Sequence, residues 1–250
     1  MSPDLYDDAE FYDLLHDGYR DDLAFYRGLA DDHGAPVLEL GAGSGRVTLA
    51  LAQAGHAVVA VEPSPAMRAR GAARLAAAGC AERVTWLDAD MRTLDLGVTV
   101  PLAIAPFHAL MHLATLDDQD AALRAVRRHL AGGGAFATDV FVPRFGAADG
   151  GAVARPAGVR AERLHDGDLF LWQEHDAAHQ VLVTEHRWDR VTDGGGLLRR
   201  RATLRQRYFH RFELERALRA AGFGRVRTFG GFGRGPVTAA STSWVFLAHP

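Results

Sequence analysis

A glycine-rich turn between a buried strand and a helix constrains this chain more than any other feature. The segment 37–51 is VLELGAGSGRVTLAL: an apolar run, then three glycines, then an apolar helical pattern. A short apolar run is typical of a strand buried in a parallel sheet. Glycines lack a Cβ and let a ligand approach the backbone, and we expect free N–H groups of the turn and the helix N-terminus to face it. The segment therefore predicts an α/β fold with a cradle for a small ligand.

Two residues of this segment indicate which ligand it holds. A turn that binds dinucleotides would have its third glycine at position 46, where this chain has Arg46. Glu39, at the end of the strand, would repel a phosphate but would suit a cation. The pattern E-x-G-x-G-x-G therefore favours a cofactor with a positive end, and it leaves an NAD(P)-dependent oxidoreductase as the weaker alternative.

The sequence LELGAGSGR resembles motif I of the class I methyltransferases that use S-adenosylmethionine (SAM). The resemblance implies SAM as the cofactor, with its α-amino group as the positive end, and S-adenosylhomocysteine as the product. It covers residues 11–142 by the order of motifs and the rest of the chain by layout alone. It also implies that an N-terminal Tyr-Asp helix lies over the cofactor as a lid, which Tyr12 would contact.

Two later strand ends add to the cofactor prediction. Glu62 ends the second strand, 62 − 41 = 21 residues after Gly41, and an acidic residue that binds a ribose in an α/β nucleotide site lies about 20 residues on. Asp90, at the end of RVTWLDADM, resembles the family's acceptor for the adenine amine, with Asp88 as the competing carboxylate. The predicted cofactor-binding residues are Tyr12, Glu39, Gly41, Ala42, Gly43, Gly45, Glu62, Pro63, Met67, Asp90, Met91, Pro106 and Phe107.

The end of the fourth strand, VTVPLAIAPF, is where the resemblance implies that the methyl group is presented. His108 and His112 follow, spaced i, i+4 on a predicted helix and therefore on one face of it. Such a spacing also suits zinc, but H-x-x-x-H lacks the Glu of H-E-x-x-H and has no obvious third ligand, so no metal is predicted. We take His108 as the candidate general base because it follows the strand end, and His175 as the second candidate.

The order of segments predicts a Rossmann-like, mostly parallel seven-stranded sheet with helices on both faces and an antiparallel finish, plus an inserted antiparallel subdomain. Residues 1–33 are predicted as a helical lid, 34–142 and 211–250 as the SAM-binding domain, and 143–210 as the insertion that covers the substrate. Within the insertion a crossing loop at 143–158 precedes strands at 159–164, 169–175, 181–191 and 197–209. The predicted substrate-binding residues are Tyr19, His112, Trp172, Arg187 and Tyr208.

Composition excludes several classes of partner. The 250 residues carry a net charge of −3, which gives no basic field for nucleic acid. The single cysteine, Cys80, excludes an intrachain disulfide and indicates a reducing cytoplasm. No apolar run reaches the ~18 residues of a membrane span, and no signal peptide is seen. All 28 basic residues are Arg, which suggests a GC-rich, bacterial genome.

The expected function is methyl transfer from SAM to a nitrogen, oxygen or carbon atom of a small metabolite, by a monomer or a homodimer. Two alternatives keep the same fold and the same motifs. One is a non-catalytic protein that binds SAM, and the other is a SAM-fold enzyme with non-methylating chemistry.

Overall fold

The computed structural model describes residues 3–144 and 160–250, and the chain folds into two compact units. The larger unit is Tyr19–Pro143 with Phe209–Pro250, and the smaller unit consists of the described residues of Met1–Gly18 and Arg144–Tyr208. The helices are α1 (Ala9–His16), α2 (Leu23–His33), α3 (Arg46–Gln53), α4 (Pro65–Ala77), α5 (Leu116–His129) and α6 (Arg211–Ala220). The strands are β1 (Val37–Leu40), β2 (Val58–Val61), β3 (Val84–Leu87), β4 (Val100–Ala105), β5 (Leu130–Phe141), β6 (Arg160–Leu164), β7 (Gly167–Asp176), β8 (Val181–Val191), β9 (Leu197–Arg207), β10 (Arg225–Phe229) and β11 (Ser243–His249).

The larger unit contains a seven-stranded sheet in the order β10-β11-β5-β4-β1-β2-β3. Strands β1 to β5 pair in parallel, whereas β11 is antiparallel to both β5 and β10. The predicted mostly parallel sheet with an antiparallel finish is therefore confirmed. Strand β1 lies between β2 and β4, and all four of its residues are buried, as its apolar run predicted. The carboxyl ends of β1, β2 and β4 consequently meet at one edge of the sheet.

The smaller unit is a four-stranded antiparallel sheet in the order β6-β7-β8-β9. One face of this sheet packs on the N-terminal segment, in a core that joins Leu5 and Phe11 to Leu169, Trp188 and Ala202. The chain start also bridges to β9 at Asp4 and Thr203. The predicted inserted antiparallel sheet is thus present, with its first predicted strand starting one residue before the described range.

The N-terminal segment differs from the single helical element predicted for residues 1–33. The helical periodicity is broken between α1 and α2, and residues up to Gly18 belong with the antiparallel sheet, whereas α2 belongs to the larger unit. Each helix has its own apolar face, so the two halves pack separately: Phe11 in the smaller unit, Tyr26 and Leu29 in the larger one. The predicted crossing loop, 143–158, lies almost entirely outside the described residues. In the part of the chain that the structure describes, no helix has the length and apolar character of a membrane span.

Candidate active site

The N–H groups of the glycine turn after β1 donate to acceptors within the protein. Gly41, Gly43 and Gly45 have φ of 67°, 56° and 80°, a left-handed conformation that favours glycine. The N–H groups of Gly41 and Ala42 donate to the Val61 carbonyl at 2.9 and 3.0 Å, and that of Gly45 donates to Ala42 at 3.0 Å. The Gly43 N–H donates to the carboxylate of Glu62, which follows β2. Our expectation that the N–H groups of this turn are free for a ligand is therefore wrong for these four residues, because these groups bind the turn to the end of β2, to the carboxylate that follows it and to Ala42.

Glu62, the residue after β2, is the carboxylate that binds the turn. It is buried; its Oε2 accepts from Gly43 N–H at 2.9 Å and its Oε1 from Ser64 N–H at 2.8 Å, while Pro63 between them is exposed. Burial raises the pKa of this carboxyl. Because a carboxylate can accept about four hydrogen bonds, the two backbone donors orient Glu62 and leave capacity for hydroxyl donors. This donor set fits the two hydroxyl groups of a ribose.

Gly41 marks a place where the turn leaves no room for a side chain of its own. A Cβ at this position would lie 3.0 Å from the Ala109 Cβ and 3.7 Å from the Met91 Cε. Met91, predicted for the cofactor site, therefore does lie beside the turn. The space beside Gly41 is thus filled by side chains of the protein, and this packing accounts for the glycine.

Glu39, at the carboxyl end of β1, is 1% exposed. Its Oε2 accepts from the Thr48 hydroxyl on α3 at 2.7 Å. Burial raises the pKa of this carboxyl to about 8, against the lowering effects of Thr48 and Arg46. A nearby cation stabilises the charged form of a buried carboxyl, which fits the role predicted for Glu39.

The residues predicted for the adenine end are engaged by arginines or buried. Asp90 accepts from the Arg92 backbone at 2.8 Å and from its guanidinium, which lowers the pKa of Asp90. Asp88, the competing carboxylate, forms a two-point pair with Arg68 at 2.9 and 2.7 Å. Met67 is fully buried, which does not favour its predicted contact with the adenine.

The end of β4 turns in an unusual way. Phe107 and His108 both have positive φ, 54° and 64°, and a short 3₁₀ helix, Ala109–His112, follows them. Consecutive non-glycine residues in this region are strained and tend to occur at functional sites. The prediction that His108 and His112 share one face of a helix is wrong, because His108 precedes this short helix and is not part of it.

Asp139 on β5 lies behind this turn. The carboxylate is 1% exposed and accepts from the Tyr26 hydroxyl at 2.6 Å and from the Phe107 N–H at 2.8 Å. Its Oδ2 lies 3.4 Å from His108 Nε2. Burial raises the pKa of Asp139 to about 6 and lowers the pKa of His108 to about 4. The sequence reasoning missed Asp139 and Tyr26, although an aspartate within the apolar strand FATDVF was a signal that could have found the first of them.

Arg46 connects the cofactor turn to the same strand end. Its guanidinium forms a two-point pair with the fully buried Asp22, both contacts at 2.6 Å, and donates to the Tyr19 carbonyl at 3.1 Å. The Arg46 Cζ lies 5.3 Å from the Tyr19 ring centre and 5.0 Å from that of Phe107. The two rings are themselves 5.4 Å apart. The structure therefore brings together three residues that were predicted for the site: Tyr19, Phe107 and His108. The contacts that Arg46 and Asp22 make there were not predicted.

Comparison with known proteins identifies the domain. Residues 37–134 match a family model described as a methyltransferase domain. A protein of Geobacillus thermodenitrificans, named as an uncharacterized methyltransferase, is 34% identical over 121 residues, which are 45% of this chain and 54% of that protein. The chain thus spans about half the length of the curated relatives it matches.

Two solved structures extend the similarity to nearly the whole chain. The CcbJ methyltransferase from Streptomyces caelestis has a TM-score of 0.84 and 28% identity, covering 98% of each chain. SAM-bound CalS10, an amino pentose methyltransferase from Micromonospora echinaspora, has a TM-score of 0.70, 22% identity and 100% coverage of both chains. This chain carries a class I SAM-dependent methyltransferase domain. SAM is the cofactor of this domain, and the nicotinamide alternative is set aside.

The antiparallel sheet of the smaller unit carries the remaining predicted site residues. His175 Nε2 lies 3.0 Å from the hydroxyl of the buried Tyr208. The guanidinium of Arg187 lies over the Trp172 ring, with the Arg187 Cζ 4.7 Å from the ring centre of Trp172. Side chains alternate between faces along a strand, so Trp172 and His175 on β7 lie on opposite faces of the sheet. The two residues therefore cannot both line one face of this sheet, and their roles at the substrate stay predictions. The contact of Tyr12 with the cofactor stays a prediction, since Tyr12 belongs to this smaller unit.

Proposed function

We propose that the protein transfers a methyl group from SAM to a nitrogen or oxygen atom of a small molecule. The observation that carries this proposal is the position of the His108 imidazole at the end of β4, 3.4 Å from the buried carboxylate of Asp139 and in the same unit as the glycine turn. A neutral histidine can accept a proton from an acceptor N–H or O–H group. Carbon as the acceptor atom is the less favoured choice, because removal of a proton from carbon needs a stronger base.

The residues proposed to hold the cofactor fit it by their chemistry. Glu62 would accept from the ribose hydroxyls, and Glu39 would face the cationic end. When bound, SAM would supply an electrophilic methyl group to the lone pair of the acceptor, with S-adenosylhomocysteine as the product left behind. The protein's own contribution is then to align the acceptor, exclude water and receive its proton.

His108 is proposed as the proton acceptor. Its pKa of about 4 means that it is neutral at pH 7. The rings of Tyr19 and Phe107 provide an aromatic surface next to it, against which an uncharged acceptor could be desolvated. After transfer the proton passes from the imidazole to solvent, since the His108 side chain is 23% exposed.

The acceptor that we propose is an amine of a small metabolite or sugar. Support comes from two proteins of the same fold, an amino pentose methyltransferase and a sugar N-methyltransferase. The cytoplasmic location and the monomeric or homodimeric state expected from the sequence remain predictions.

The test combines mass spectrometry with a transfer assay. Native mass spectrometry of the purified protein should show retained SAM or S-adenosylhomocysteine. Incubation with methyl-labelled SAM and a panel of amines, amino sugars and phenols should give labelled product and S-adenosylhomocysteine. His108→Ala should lower kcat/KM by about 10²–10⁴-fold while the Kd for SAM is unchanged. SAM binding without transfer to any member of the panel would favour the non-catalytic alternative, and consumption of SAM without labelled product would favour non-methylating chemistry.

The cofactor residues are tested separately by calorimetry. Glu62→Ala should weaken SAM binding by about ten- to hundredfold, because a charge-assisted hydrogen bond contributes roughly 1.5–3 kcal/mol. Glu82→Ala, which removes a glutamate whose side chain is 66% exposed, is the matched control and should leave the Kd unchanged. Equal affinity of wild type and Glu62→Ala would contradict the assigned ribose contact.

A further inference from the structure

Asp139 is a buried carboxylate that contacts both the backbone and the side chain of the turn bearing the proposed base. We infer that it is a positioning residue: it accepts the hydrogen of His108 Nε2, and it thereby leaves Nδ1 as the atom that receives the acceptor's proton. This inference rests on the proposed function.

The backbone of the turn is the first point of contact. Phe107 and His108 adopt positive φ, which costs energy for residues with a Cβ. Asp139 accepts from the Phe107 N–H at 2.8 Å, and the His108 N–H also stabilises its charged form. Backbone donors that converge on one carboxylate hold the turn in this conformation. The direction in which the imidazole leaves the backbone is therefore set by Asp139.

The imidazole ring is the second point of contact. A neutral imidazole has one nitrogen that donates and one that accepts, and an ionised carboxylate can only accept. Because Asp139 Oδ2 lies 3.4 Å from His108 Nε2, the hydrogen of the neutral ring is expected on Nε2. The separation is longer than an ordinary N–H···O hydrogen bond of about 2.7–3.2 Å, and catalytic contacts are often long before a substrate binds and tighten only afterwards. The acceptor lone pair is then on Nδ1, the nitrogen not turned toward the carboxylate.

The ionisation states of the pair suit this arrangement. Several groups act on the two residues: Asp22 raises the pKa of both His108 and Asp139, Arg46 lowers the pKa of His108, and the Tyr26 hydroxyl lowers that of Asp139. With Asp139 at a pKa of about 6 and His108 at about 4, the carboxylate is mostly ionised and the imidazole neutral at pH 7.5. An ionised carboxylate beside the ring also stabilises the imidazolium that forms when the proton arrives. The same division of labour operates in the serine-protease triad, where the Asp→Asn change produces the wrong tautomer.

The test reads the tautomer directly. The ¹⁵N chemical shifts of the imidazole are measured at pH 7.5 in the complex with S-adenosylhomocysteine, and His108→Gln identifies the signals of this residue among the 12 histidines. Wild type should show the hydrogen on Nε2. In Asp139→Asn the amide group can donate to Nε2, so the hydrogen should move to Nδ1 in all or part of the population.

Tyr26→Phe is the matched control. It removes the other side-chain hydrogen bond to Asp139, at 2.6 Å, without altering the charge beside the ring. The Nε2–H tautomer should persist in this variant. Where an acceptor has been found, Asp139→Asn should lower kcat/KM by about 10²–10⁴-fold with an unchanged Kd for S-adenosylhomocysteine, and Tyr26→Phe should lower it far less.

The outcomes separate the positioning role from the proposed function. Hydrogen on Nδ1 in wild type would overturn the inference, and this measurement does not require any variant to fold. An unchanged tautomer in a folded Asp139→Asn protein would overturn it as well. Absence of methyl transfer by wild type would instead count against the proposed function. Transfer at the wild-type rate by folded Asp139→Asn would leave the function intact and remove the positioning role.

Discussion

Replacing Glu39 with Gln should change how the stability of the larger unit depends on pH. The carboxyl is 1% exposed and has a pKa of about 8, against an ordinary 4.5. Between these values the folded protein keeps a proton that the unfolded chain releases. The free energy of unfolding therefore falls as pH rises, by up to about 1.4 kcal/mol per pH unit. A glutamine cannot ionise, so Glu39→Gln should lack this part of the pH dependence.

The window from pH 6.5 to pH 8 isolates the effect. Two other groups change the free energy of unfolding below pH 6.5. Asp139 lowers it as pH rises from 3.8 to about 6, as Glu39 does, whereas His108 raises it between about pH 4 and 6.5. The window spans 8 − 6.5 = 1.5 pH units. Over it, the ionisation of Glu39 should lower the free energy of unfolding by about 2 kcal/mol. Glu62, whose pKa is also raised, is present in both proteins and cancels in the comparison.

Urea unfolding followed by tryptophan fluorescence at the two pH values measures this difference. Because the chain has two units, hydrogen exchange of the β1 amides serves as a second readout that belongs to the larger one. Wild type and the surface control Glu82→Gln should lose the same stability between pH 6.5 and 8, and Glu39→Gln should lose about 2 kcal/mol less. An equal loss in Glu39→Gln and wild type would refute the assignment of a proton to the buried carboxyl.

Two further predictions concern packing and the ion pair at the turn. A Cβ at Gly71 in α4 would overlap the Trp86 ring, so Gly71→Ala should destabilise the protein by about 1–3 kcal/mol in urea unfolding. The matched change Gly28→Ala in α2, where a Cβ would meet nothing within 4 Å, should instead stabilise it by about 0.5–1 kcal/mol; the same sign for both would contradict the packing argument. Arg46→Lys should cost about 1–3 kcal/mol, because a lysine cannot pair with the buried Asp22 at two points or stack on Tyr19 and Phe107. Stability equal to that of wild type would show that the charge alone suffices.

Strands β1 and β4 could be predicted because nearly all of their residues are buried and they form largely apolar runs. The antiparallel sheet was equally legible, since strands β8 and β9 alternate and are separated by the turn DGGG. The shape of the turn after β1 was foreseen from its glycines, but the destination of its N–H groups was not. Which acceptor a backbone donor finds depends on strand β2, and no local pattern contains that information.

The missed residues share a different cause. Asp139 and Tyr26 meet across 113 positions of sequence, and the helix carrying Tyr26 was assigned to a lid and not to the core. Residue spacing within a single helix or strand can identify pairs such as i, i+4. Contacts of one side chain with residues on two strands and a helix can be identified only when the order of the strands in the sheet is known.

Arg46 shows how one position can exclude one ligand and help to build the site for another. Its presence in place of a third glycine argued against a dinucleotide turn. In the structure it is the first residue of α3, directly after the turn, and its guanidinium reaches Asp22, Tyr19 and Phe107. A glycine there would leave Asp22 buried without its counter-charge, which is more costly than the loss of an exposed pair. The turn proposed to hold SAM and the strand end proposed to face the acceptor are therefore joined through a single side chain, and a change at Arg46 should disturb both sites together.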